Sequence, residues 1–185
     1  MSNKNLKLVI YCSILALVLV LAGVAYKHVS DNYTPEVQNI DSDKNTNPAP
    51  DFFVFTQDGE RVSFTSFKGK PVVINFWATW CGYCVDELPY FQNAYEKYGD
   101  KVQFMMVNLT DNSTETVEKA SAFISDKKYE FPVYYDVAYR AAFAYDVSAV
   151  PVTAFVDADG NLVYHRIGGM TEKMLFEYIE SLIGE

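Results

Sequence analysis

Residues 71–78 read PVVINFWA, an almost unbroken run of β-branched and aromatic side chains, and they lead straight into W-C-G-Y-C at Trp80–Cys84. So continuous an apolar segment is expected as a central strand covered on both faces, because a half-exposed strand would alternate. After Cys84 the apolar positions Leu88, Phe91, Tyr95 and Tyr98 recur at helical spacing, so the strand is predicted to pass through the two cysteines into a helix. The flanking sequence repeats this alternation. FFVFT, a turn at Asp58-Gly59 and RVSF read as a hairpin, KVQFMMVNL as a strand, and Thr114 to Asp126 as a helix. VTAFVDADGNLVYHR reads as a terminal hairpin and Glu172 to Ile183 as a closing helix. Strands alternating with helices place the domain in the α/β class.

The chain has 185 residues, enough for one buried domain with accessories. It divides into residues 1–29, 30–47 and 48–185. Leu8 to Ala25 is uncharged and mostly apolar, behind Lys4 and Lys7, in the manner of an export signal or anchor. As a helix this run rises roughly 27 Å, close to the ~30 Å hydrocarbon core, which favours a retained anchor over cleavage after Ala25. Lysines 4 and 7 precede the run and only Lys27 closely follows, so the remainder is expected outside the cytoplasm on a single-pass membrane helix. Cys12 lies within the apolar run and His28 at its edge; both read as bystanders. Ser30 to Pro50 is polar, acidic and punctuated by proline, which makes residues 30–47 a flexible tether; about 20 such residues span roughly 25 Å root-mean-square. The net charge is −9 with dispersed lysine and arginine, which excludes the electrostatic footprint of a nucleic-acid binder.

Cysteines at a strand-to-helix junction face unpaired backbone N–H groups and the positive end of the helix dipole, an environment that stabilises a thiolate. Cys81 is placed at or near the cap and Cys84 one turn further in, close enough to bridge it and more covered. Two other uses compete with redox chemistry. A purely structural disulfide closing so short a loop would constrain the unfolded chain little. A metal site needs further ligands, and only His28 and His165, in widely separated segments, are present. Redox chemistry is the preferred reading, with the Cys81–Cys84 pair itself as the redox group and no further cofactor.

The stretches APDF, GKPVVINFWATWCGYC, ELPYF, YDVSAVPVTAFVDADGNLV and GGMTE, in that order, resemble a thioredoxin-like domain. More narrowly they resemble the membrane-tethered TlpA/ResA branch of extracytoplasmic thiol:disulfide oxidoreductases, from about Asn47 to the C-terminus. The resemblance implies a thioredoxin-like fold, a central mixed β-sheet flanked by helices, with an N-terminal β-hairpin and, ahead of it, an N-terminal transmembrane helix. It implies a cis bond before Pro151, aiming the backbone of Val150 at the cysteines, where an extended substrate can pair with it. Trp80, Gly82, Tyr83, Val150 and Pro151 then form the substrate-binding surface, and Cys81, Cys84 and Glu87 the catalytic set. On a helical wheel Glu87 lies about 60° from Cys84, at the edge of the buried stripe, whereas Asp86 points nearly opposite. Burial there would raise the Glu87 pKa and let it exchange a proton with Cys84; the plainer alternative is a surface charge complementing the helix dipole. Asn75 stands where thioredoxins usually carry a buried aspartate, and reads as a buried amide in need of partners.

The implied reaction reduces disulfides of exported proteins, cytochrome c apoproteins among the family's substrates, with re-reduction by a polytopic membrane protein that carries electrons outward. No C-x-x-C-H haem attachment site occurs in this chain. Gly82-Tyr83 also appears in thiol isomerases, so an exported oxidase or isomerase is the alternative; the dimerisation region common in isomerases is not visible, and a monomer is expected. A copper-binding thioredoxin-like metallochaperone is a second alternative, with C-x-x-x-C spacing one residue longer than that found here.

Overall fold

The computed structural model describes residues 14–24, 38–39 and 47–184. The chain forms two units, Met1–Val37 and Gln38–Glu185. In the first, residues 14–24 are helical (α1) and expose their large apolar side chains. Among the described residues no helix is long and apolar enough to cross a membrane. The ends of the expected span, Cys12, His28 and most of the tether lie outside the described residues.

The second unit is organised by β4 (Val72–Trp77), whose six residues are all buried, as a central strand requires. Eight strands form one mixed sheet in the order β1-β8-β7-β4-β5-β6-β2-β3. β4 pairs in parallel with β5 (Gln103–Asn108), which pairs in parallel with β6 (Val133–Tyr135). On its other side β4 pairs antiparallel with β7 (Val152–Val156), and β7 with β8 (Leu162–Ile167). The expected hairpin is β2 (Phe53–Phe55) with β3 (Arg61–Ser63), joined through Gly59 at φ 81°, a left-handed conformation that glycine adopts without steric cost. It attaches beyond β6 through Phe55 and Tyr135. At the opposite edge β1 (Gln38–Asn39), from the segment read as tether, pairs with β8.

Successive β4 side chains face opposite layers. Val73 and Trp77 pack with Leu88 and Phe91 of α2 (Gly82–Tyr98) and Leu175 and Ile179 of α5 (Glu172–Ile183). Val72, Ile74 and Phe76 pack on the other side with Phe52, Phe64 and Tyr145. Each large apolar side chain fully covered in this way contributes roughly 1.5–3 kcal/mol. Asn75 shares a face with Val73 and Trp77, and so looks toward α2.

Besides β1, three elements differ from expectation. α3 (Val117–Lys127) starts later than Thr114 because Asp111 Oδ1 accepts the backbone N–H groups of Ser113, Thr114 and Glu115, holding them in a turn, and Thr116 then caps the helix. β6 is too short for a periodic signature, and α4 (Arg140–Ala144) is a five-residue helix held by Asp136, which accepts from the N–H groups of Arg140 and Ala142.

Candidate active site

β4 ends at Trp77, whose carbonyl accepts from Leu109, and the chain then turns through Ala78, whose carbonyl accepts from Cys81. Between them the backbone N–H of Thr79 donates to Glu115 Oε1 at 2.8 Å and its hydroxyl to Oε2. Asn108 Nδ2 donates to the same Oε1 at 2.7 Å. Glu115 is fully buried, so a single carboxylate anchors the segment from which Trp80 and Cys81 project. It falls at the start of the segment read as helix from Thr114, where nothing local in the sequence marks it as the anchor of a distant loop.

Cys81 is the N-cap of α2, and its Sγ accepts the N–H of Cys84 at 3.2 Å. The two cysteines form a disulfide, with S–S 2.14 Å and Cα–Cα 5.2 Å. Cys81 keeps 7% exposure and Cys84 none. An attacking partner therefore reaches the Cys81 sulfur first. Around it Trp80 is 58% and Tyr83 77% exposed, and Gly82 is exposed between them. The Val150–Pro151 bond is cis, and the Val150 carbonyl oxygen lies 3.6 Å from Cys81 Sγ. The Pro151 carbonyl accepts from Gly168, which ties this loop to the segment following β8.

Glu87, one turn beyond Cys84, is only 2% exposed. Its Oε1 accepts from Asn75 Nδ2 at 2.9 Å and its Oε2 from the N–H of Met170 at 3.0 Å. Burial pushes its carboxyl up to about 7, against the pull of the Met170 and Asn75 hydrogen bonds and the Arg166 charge. The surface-charge alternative belongs instead to Asp86, which is exposed. Asn75 Nδ2 also donates to Thr153 Oγ1 at 3.0 Å, while its Oδ1 has no partner among the described residues. Glu87 borders a cavity of about 360 Å³ with Tyr83, Asp86, Tyr90, Arg166 and Met170. A larger cavity of about 660 Å³ lies by Phe53, Arg61, Tyr139, Arg140 and Phe143, and neither cysteine borders it.

The structure thus brings together Trp80, Cys81, Gly82, Tyr83, Cys84, Glu87, Val150 and Pro151. It adds Arg166 and the Gly169-Met170 peptide, which sequence reading had noted only as the motif GGMTE. His165 sits on the face of β8 opposite Arg166, half-buried, and burial lowers its pKa. Among the described residues no three His, Cys, Asp or Glu side chains converge as metal ligands.

A disulfide at a helix start, its outer sulfur beside a cis-proline loop and a buried carboxyl one turn behind its inner sulfur, belongs to a thioredoxin-like thiol:disulfide oxidoreductase. The chain is a member of the Redoxin family, whose model matches residues 44–182. It is 33% identical over 132 residues to thiol-disulfide oxidoreductase ResA of Bacillus subtilis, covering 71% of this chain and 72% of that one. Sporulation thiol-disulfide oxidoreductase A of the same organism is 29% identical over 181 residues, 97% of this chain and 99% of that one. The crystal structure of StoA from Bacillus subtilis superposes with a TM-score of 0.62 at 31% identity, covering 71% of this chain and 98% of that one.

Proposed function

We propose that this oxidoreductase reduces disulfides of exported proteins, cytochrome c apoproteins being one such class, from a position outside a membrane. The Cys81 thiolate attacks one substrate sulfur, forming a mixed disulfide and releasing the first substrate thiolate. Cys84, giving its proton to Glu87, then attacks Cys81 Sγ, closing the Cys81–Cys84 disulfide and releasing the second substrate thiolate. Two electrons pass to the substrate. The pair itself is the redox group, and a polytopic membrane electron donor restores it. Val150 pairs with the substrate backbone as a short added strand, while Trp80, Gly82 and Tyr83 bound the docking surface.

The observation that carries this reading is Glu87, buried behind Cys84 with its carboxyl near neutrality. A group poised there takes a proton from Cys84 as that thiol becomes a nucleophile and returns it when the sulfur leaves. The N-terminal unit acts as a single-pass anchor and the domain works as a monomer. Equilibration with glutathione or dithiothreitol buffers gives the reduction potential; a value near about −120 mV, the oxidant end of the known range, overturns the reductase reading. A Cys84→Ser variant retains the mixed disulfide through Cys81 and is expected to trap exported clients from cell envelopes.

A further inference from the structure

We propose that Arg166 is a positioning residue for the proton acceptor: it grips the Gly169 carbonyl and thereby sets the other side of the same peptide unit, the Met170 N–H, against Glu87. This rests on the reading of Glu87 as the group that takes the Cys84 proton. Arg166 Nε and Nη2 donate to the Gly169 carbonyl oxygen at 3.2 and 3.0 Å. The Met170 N–H donates to Glu87 Oε2 at 3.0 Å. In a planar trans peptide the C=O and N–H point in opposite directions, so one rigid plate joins the guanidinium to the carboxylate. A cation on the oxygen also polarises the plate and strengthens its N–H as a donor. The fork is fixed in turn, because Arg166 is in register with Thr153, whose hydroxyl accepts from the same Asn75 amide that reaches Glu87 Oε1.

From β4 Asn75 faces Glu87, and Thr153 of β7 stands behind it on the same amide, both neutral. On its own helix Tyr83, Asp86 and Tyr90 border the shared cavity, Asp86 being a second carboxylate there; the segment leading into α5 contributes Met170 and Thr171 and α5 itself Met174, these three uncharged. Arg166 is the cation on that cavity. Lysine at this position would supply charge without the two-pronged grip.

The test follows the Glu87 carboxyl by carbon NMR across pH in the full-length oxidised chain, with Glu87→Gln assigning the signal. Arg166→Met is expected to raise the titration midpoint by roughly one pH unit, and Arg166→Lys by less. A midpoint in Arg166→Met that coincides with the parent overturns the proposal, and one in Arg166→Lys that matches the parent overturns the role of the fork. Should Arg166→Met fail to fold, the Lys variant decides: a raised midpoint supports the grip and an unmoved one refutes it. The pH profile of substrate disulfide reduction is expected to move with the carboxyl. If the midpoint moves and the rate profile does not, the positioning role stands and Glu87 falls as the proton acceptor.

Discussion

A carboxyl group that titrates near neutrality while buried links the chemistry of Glu87 to the stability of the fold. Its unfolded value is 4.5 and its folded value about 7. Between them the folded chain binds the extra proton, so this group's contribution is full below about pH 4.5, declines as pH rises through about 7 and is gone above it. The loss totals roughly 3 kcal/mol. Asn75 fits both charge states. Its Nδ2 donates to the carboxylate, and rotation of the amide turns the unpartnered Oδ1 toward the carboxylic acid. Glutamine at position 87 imitates the neutral acid and uses the same rotation. Chemical unfolding of the oxidised chain should therefore show the parent losing roughly 3 kcal/mol between pH 5 and 8 relative to Glu87→Gln; parallel pH dependences in the two would show that another group sets the slope. The positions of the two cysteines were legible from the strand-to-helix junction, and that of Glu87 from the resemblance together with its place at the edge of the helix's buried stripe. Arg166 and Glu115 were not, because what they bear on is remote in the chain, Glu87 reached through the Gly169–Met170 peptide and Thr79 ahead of the cysteines, and no local pattern encodes either link.

The elements that position the site divide by how local their causes are. β4, β5, the β7–β8 hairpin and α5 were readable because burial on one or both faces writes its own period into the chain. β6 and α4 were not, since three- and five-residue elements are too short to show a period and depend on tertiary partners such as Asp136. The connection from β5 to α3 shows the same limit: read as helix from Thr114, it is a turn whose purpose is to present Glu115 to the loop ahead of Cys81. Replacing Glu115 by alanine leaves the part-buried Thr79 N–H and the buried Asn108 amide without their acceptor, while the Thr79 hydroxyl is free to rotate to another. Two orphaned donors cost about 3 kcal/mol together. Denaturant unfolding of Glu115→Ala should show a loss of that size, and a loss below about 1 kcal/mol would mean that water replaces the carboxylate.

At the scale of the whole molecule, a domain with its redox pair on one rim is joined through a polar segment to an N-terminal unit of different character. The fold of the domain was legible in outline from alternation and from the cysteine junction, whereas the standing of the N-terminus depends on an environment the chain does not itself supply. Residues 14–24 form a helix whose Ile14, Leu15, Leu17, Val18, Leu19, Val20, Leu21 and Val24 are exposed. Eight large apolar side chains left facing solvent at roughly 1.5–3 kcal/mol each are a strong drive toward an apolar medium. The uncharged run continues in sequence from Leu8 to Ala25, and two of its three closest lysines precede it. The single-pass anchor proposed to hold the domain outside the cytoplasm draws on both features. The chain should then sediment with membranes, resist extraction by high salt and alkaline carbonate, and come away in detergent, because apolar burial is insensitive to ionic strength and surface ion pairing is not. In intact cells treated with a reductant, a membrane-impermeant maleimide should label Cys81. Recovery in the salt-extracted fraction would reduce the N-terminal unit to a peripheral contact, and labelling only after lysis would place the domain on the cytoplasmic side. Deleting residues 1–29 supplies the complementary measurement: the soluble chain should keep its reduction potential, which Cys81, Cys84 and their neighbours set, and lose its membrane association.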